Sequence, residues 1–393
     1  MHTPTRRLTA ALAATLSLLM ACGSDPAQPS AGSGAESATD SDSERASGES
    51  GGETFDISFA NFTEGAPLFR VIHTNLQEVL QTVDSKVRVK WYDNAADPAK
   101  MLQNAELMVR DDPDAIVEYP VSTATQGVGR VFADSGIPCV SVNLDTAECE
   151  FLNIDNSQLG IDTAEIIGDI ATERGWDASN TTILLGQNAA AGEQVNDCVR
   201  YFYSTIAPML GMEEVEPQSI TATTTTIGAN AIQFEGASQL QPSFEAVRSL
   251  LPSVPADHNI ILYTVNNDST TGALRALEDA GRGGDDTLLI GGLGGDEVGI
   301  RSLREDPRWV AEGDIFVAWW GQYAVAMAQA LANGSDPPAE VTALPQIVLT
   351  SDTVDQFHEP DSVDVKQLPP LVESNEYLRD GGFLQVVDNI EGL

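Results

Sequence analysis

Asn266, Asn267 and Asp268 place two amides and a carboxylate at the end of an apolar run, Ile260 to Val265. Amides at such a point can bind the hydroxyls of a small polar solute. A carboxylate there can instead accept from the first backbone N–H groups of a helix, a cap worth roughly 1 kcal/mol. The two uses are compatible, with Asp268 as the cap and the amides turned toward a ligand. A helix is predicted immediately afterwards, because Ala273, Leu274, Leu277 and Ala280 share one face and Gly281 follows as a stop signal.

Other chemistries find little support in the spacing. The four histidines, His2, His73, His258 and His358, are scattered, and no C-x-x-C occurs, so neither a zinc site nor any cofactor is expected. The G-x-S-x-G match at Gly48–Gly52 lies in a polar stretch with no strand before it, which removes its mechanical meaning. The run "GGLGGDEVG", Gly291 to Gly299, lacks the G-K-[ST] ending of a phosphate loop and the G-x-G-x-x-G spacing of a dinucleotide site. Carboxylates are abundant enough to leave a glycosidase pair open, yet nothing singles out two of them.

The elements that must position these residues alternate. "FDISFA", "VRVKWY", "DAIVEYP" and "IPCVSV" read as strands, each of the first three followed by a helical pattern. Asp97 and Pro98 form a cap and first helical position for one of those helices. A second series runs through "FLNI", "TTILLG", "EVEPQSITAT", "IILYTV", "TLLIGG" and "IFVA". Such alternation implies right-handed crossovers and parallel sheets. The expected class is α/β, with two doubly wound lobes and a ligand cleft beyond the carboxyl ends of the strands.

The 393 residues are long enough for two domains. At the N-terminus, Arg6 and Arg7 precede an apolar run from Leu8 to Met20, too short to span a bilayer, and Leu19-Met20-Ala21-Cys22 closes it. That pattern resembles a bacterial lipoprotein signal, with residues 1–22 as signal, Cys22 as the lipidated residue and the membrane as partner. Residues 23–54, rich in Ser, Gly, Ala and acids, read as a disordered acidic tether. The net charge of −39 disfavours nucleic acid outright. With Cys22 lipidated, three cysteines remain in an oxidising compartment. Cys139 reads as a buried strand residue, and Cys149 and Cys198, flanking turns, as the better disulfide pair.

Several segments occur in a telling order: "DNAADPAKMLQNAELMV", "PDAIVEYPVST", "SGIPCVSVN", "NIDNSQLG", "NNDSTTGALRALEDAG", "IGGLGGDEVG" and "WWGQYAVAMAQALANG". The chain from about Phe55 to Leu349 thereby resembles the periplasmic sugar-binding proteins of the ribose/galactose type, substrate-binding subunits of ABC importers. The resemblance implies three hinge segments, near 143–148, 318–321 and 348–352. It implies one lobe from residues 55–147 and 320–347, another from 148–319 and 348–359, and an extension at 360–393.

The family's binding positions fall unevenly on this sequence. Its aromatic turn retains Phe69; its Asp-Arg pair falls on Asn143 and Leu144, which removes a bidentate clamp for sugar hydroxyls. Its Asn-Asp falls on Asn267 and Asp268, beside Asn266. Asp296 stands near a family aspartate position held by Leu293. The family's lobe-two arginine falls around Asn196, and its glutamine falls on Trp319. The implied protein is a monomer without enzymatic activity that hands a sugar or polyol to an ABC permease. Alternatively, it presents that ligand to a membrane signalling receptor.

Overall fold

The computed structural model describes residues 54–65, 67–83, 85–121, 123–337 and 342–386. The signal-like segment, Cys22, the tether before Thr54, and Ala66 lie outside the described residues.

Apolar β-rich runs and amphipathic stretches alternate as their periodicity requires. In the first lobe the order is β1 (Phe55–Asn61), α1 (Pro67–Thr82), β2 (Val87–Asp93), α2 (Pro98–Arg110), β3 (Ala115–Glu118), α3 (Thr125–Ser135), β4 (Cys139–Val142) and β5 (Glu150–Asn153). The second lobe follows with α4 (Asn156–Glu173), β6 (Thr181–Gln187), α5 (Glu193–Met209), β7 (Thr226–Ile227), β8 (Ala231–Glu235) and α6 (Leu240–Leu250). It continues through β9 (Asn259–Thr264), α7 (Asn267–Asp279), β10 (Leu288–Gly294), α8 (Glu297–Glu305) and β11 (Trp309–Asp314). The chain then returns through α9 (Trp320–Ala332), β12 (Thr342–Ala343) and β13 (Ile347–Leu349).

The sheets run β12-β5-β4-β3-β1-β2 and β13-β11-β10-β9-β6-β8-β7. The first is parallel throughout; in the second only the edge strands β7 and β13 are antiparallel. The α/β class with two parallel-sheet lobes is what the alternation demanded. At the N-terminus of α2, Asp97 accepts from Lys100 N at 2.8 Å with Pro98 at the first helical position, as its sequence signature indicates.

Three local expectations change. "FLNI", read as the first strand of lobe two, is β5 and pairs in parallel with β4 in the first sheet. The chain turns back at Asn143, whose positive φ of 69° suits an asparagine, so β5 starts after a short connection. The first crossing between lobes is therefore Ile154–Asp155 rather than 143–148. The third is Leu344–Gln346 rather than 348–352, because Ile347–Leu349 already pairs with β11. "EVEPQSITAT" is no strand: Pro217 opens a short 3-10 turn, and the second sheet takes the later β7 and β8 instead.

The disulfide is also corrected. Cys139 bonds Cys149, not Cys198. The register that pairs Val140 with Glu150 brings the two preceding cysteines face to face at the start of adjacent strands, 4.9 Å between Cα atoms. Among the described residues Cys198 is the free thiol, fully buried on α5 where α4 approaches closely at Gly160. Its Sγ–H donates to Val195 O at 3.2 Å, and burial pushes the thiol up to about 12, which makes it inert.

Beyond β13 the chain forms a bridge. Residues 354–365 sit on lobe two: Arg304 of α8 pairs with Asp355 at 2.8 Å and donates to the carbonyls of Glu359 and Ser362. Residues 373–386 pack on lobe one against α9. There Asn375 donates to Ala343 O and the Tyr377 hydroxyl meets Thr342 Oγ1, each at 2.6 Å. The described residues of the extension thus pack on both lobes, and 387–393 lie outside the described residues.

Candidate ligand cleft

The strand ends of lobe one build an apolar wall. After β1, Phe62 lies 4.8 Å from Phe69 between ring centroids, and Phe69 meets Tyr119 edge-on at 6.1 Å. Asn61, fully buried, holds this turn by donating to Phe69 O at 2.8 Å and to Glu64 Oε1 at 3.0 Å. Tyr119, Val121, Val142, Asn143 and Leu144 complete the wall, and Ala190, Ala191 and Val195 approach from lobe two. The cavity between them, open to solvent, measures about 250 Å³. No charged side chain lines it. Its polar side chain is the Asn143 amide; the hydroxyl of Tyr119 is itself buried without a partner, and burial keeps that phenol protonated.

Of the residues singled out in the sequence, Phe69 and Asn143 line this cavity; Asn196, Asn266, Asn267, Asp268, Asp296 and Trp319 do not. The reasons are specific. Asn267 is 1% exposed and spends its amide inside lobe two. It donates to Glu312 Oε1 at 2.7 Å and to Asp296 Oδ1 at 3.0 Å, and accepts from Leu293 N at 3.0 Å. Asn266, not Asp268, caps α7 by accepting from Ser269 N, and its own amide donates to Ser238 O; Asp268 is exposed. Asp296 caps α8 through Gly299 N.

Asn196 staples the turn before α5, donating to the carbonyls of Asn188 and Gly192 and accepting from Asn188 N. Trp319 is buried in a turn packed against α1. Phe62, Tyr119 and the small residues Ala190 and Ala191 were missed. Each carries only an apolar or small side chain next to a strand end, a signal that core residues share.

Two buried carboxyls stand behind the cleft. Glu312 accepts from Asn267, Gly295 N and Trp309 Nε1, while burial pushes it up to about 8. Glu118, at the end of β3, accepts from Asn94 Nδ2 at 2.6 Å; burial pushes it up to about 8 as well.

The segments between lobes are tied to one another. Gln346, in the third crossing, accepts from Asp155 N at 2.6 Å and donates to Asp155 O at 3.0 Å, so its amide copies a strand's pairing onto the first crossing. In the second, Asp314 Oδ1 accepts from Phe316 N at 2.9 Å and Trp320 Nε1 donates to Ile315 O at 2.7 Å.

A sequence profile described as the periplasmic binding protein domain matches residues 57–336, well over half of the chain. The chain belongs to the periplasmic binding protein family. Solved structures agree on the fold of this binding protein. A solute-binding protein of an ABC transporter from Mycobacterium smegmatis, with bound glycerol, superposes with a TM-score of 0.62 at 17% identity over 80% of this chain and 99% of that one. A periplasmic ribose ABC transporter protein from Conexibacter woesei gives 0.61 at 16%, covering 77% and 94%. A solute-binding protein from Bacillus halodurans with bound myo-inositol gives 0.59 at 17%, covering 79% and 99%. No curated protein matches the chain. Among the described residues no helix is long and apolar enough to cross a membrane.

Proposed function

We propose that this binding protein is an extracytoplasmic lipoprotein that captures a small neutral solute, a sugar or polyol, and delivers it to an ABC permease. The observation that carries the reading is the cavity at the strand ends of lobe one, walled on its other side by the turn and first helical residues that follow β6. A ligand touching Phe69 and Val195 at once favours the closed arrangement of the lobes, and that difference in affinity drives closure. The solutes named for the superposable proteins, glycerol, ribose and myo-inositol, are all neutral. A cavity without charged side chains suits such a ligand, since an ion buried there would lack a partner. Its lining offers no nucleophile or carboxylate for catalysis. The lipoprotein part rests on Arg6, Arg7, the apolar run and Cys22.

Small-angle X-ray scattering with and without the ligand that co-purifies, identified by mass spectrometry, tests the reading. A neutral solute that shrinks the particle on binding is expected. A charged ligand, or saturation without compaction, would overturn it.

A further inference from the structure

A second cavity lies beside the first. It measures about 260 Å³ and sits at the end of β5, lined among others by Asn153 of β5, Asp155 of the first crossing, Asn156 at the start of α4, and Gln194 and Asp197 of α5. β4 and β5 are neighbours in the sheet, with Val142 opposite Leu152, so their ends stand roughly 4.8 Å apart. The first cavity takes Val142 and Asn143 from the end of β4, and the second takes Asn153 from the end of β5. The opening of α5 covers both: Val195 faces the first, Gln194 and Asp197 the second.

The two differ in chemistry. The first is aromatic and aliphatic. The second adds amides and carboxylates to Phe151, Ile154 and Ala343, and its Asn153 is 3% exposed with an Oδ1 that has no hydrogen-bond partner. A buried carbonyl oxygen left unpaired costs roughly 1–3 kcal/mol, which a donor from a ligand would recover. Asn156, also buried, lines the pocket beside Asn153. Asp155 accepts from Gln158 N, and Asp197 stands 3.4 Å from Arg200, leaving carboxylate lone pairs for further donors. The pocket thus offers both amide donors and carboxylate acceptors, and vicinal hydroxyls, which donate and accept, suit such a set.

Resting on the solute-binding reading above, we propose that the ligand is a glycoside with a flat apolar aglycone. The aglycone occupies the Phe62–Phe69–Tyr119 cavity, and the sugar hydroxyls bind Asn153 and Asp197 in the neighbouring pocket. Each cavity holds about eight water volumes at roughly 30 Å³ each, so a free monosaccharide fills one and leaves the other to water. O-aryl glycosides and nucleosides share this two-part chemistry.

Calorimetric titration of the intact protein tests it, with ribose, glucose and galactose each as free sugar, phenyl glycoside and, for ribose, nucleoside. For at least one sugar, the phenyl or nucleoside form should bind at least tenfold tighter than the free sugar. Asn153→Ala and Asp197→Asn should each weaken that form about tenfold, with Asp197→Asn, at a half-buried position, guarding against a folding defect in the other. Stronger binding of the phenyl form than of the nucleoside, or the reverse, identifies the aglycone. Free sugars that bind as tightly as their glycosides would overturn the two-part ligand while leaving the sugar-binding reading intact. If no compound in any form binds, the glycoside falls, and the co-purifying ligand decides the solute-binding reading separately.

Discussion

Asp314 and His358 meet at 2.5 Å with both side chains buried, and the contact joins the start of the second crossing to the C-terminal bridge. His358 Nδ1 donates to Val363 O at 3.0 Å, because a carbonyl can only accept, and the ring lies parallel to Phe316 at 5.9 Å. Burial pushes the Asp314 carboxyl upward, and His358 works against that shift. His358→Ala leaves a buried carboxyl without its partner, and a loss of about 3–5 kcal/mol is expected in urea unfolding. A loss below about 1 kcal/mol would show that the pair contributes little to folding.

Asn267 and Asn143 are expected to separate stability from binding. Asn267→Ala deletes three buried hydrogen bonds, one of them to the buried Glu312, so it should lower stability by about 3 kcal/mol or more. Asn143→Gly removes the cavity amide but keeps the turn's φ of 69°, and should weaken ligand binding about tenfold with little change of melting temperature. Melts and titrations of both variants check the pattern. An unaltered melt for Asn267→Ala would contradict its placement in the core of lobe two.

The Cys139–Cys149 bond closes a loop of separation 10. Chain entropy gives about 2–3 kcal/mol for a loop of that length. Cys149→Ser should therefore cost about that much, and non-reducing peptide maps should link these two cysteines and leave Cys198 unmodified until the protein unfolds. A Cys198 peptide in disulfide linkage would overturn the pairing.

Glu118 gives the stability a pH dependence of predictable sign. Its folded value of about 8 lies above its usual 4.5, so the folded state binds the extra proton between them. Its contribution is fully present below pH 4.5 and is lost as the pH rises toward 8. Glu118→Gln keeps the shape without the ionisation. The variant's stability relative to the parent should thus grow steadily from pH 5 to pH 8. A constant difference across that range would mean that Glu118 does not titrate there.

Long-period patterns carried the fold into the sequence. The α2 cap at Asp97, the apolar runs of β6 and β9, and the alternation itself depend on local chemistry that any reader can see. The site was harder to read because Asn267 and Asn196 have the residue type of ligand contacts. Their bonds are instead completed by Glu312 and by the turn before α5, partners distant or backbone in origin. The cysteine pairing failed for a related reason: it follows from the register of β4 against β5, and β5 had been placed in the wrong sheet.

The C-terminal bridge turns the hinge into a leashed one. Between Val365, paired with His358 on lobe two, and Asn375, bonded to Ala343 on lobe one, the chain offers only a short span, at most about 3.3–3.6 Å per residue. The profile of the family's domain ends at residue 336, before this leash begins. Lobes held on it sample fewer open geometries than lobes joined by three crossings alone. Less disorder then has to be surrendered on closure, so the same contacts with a solute yield tighter binding.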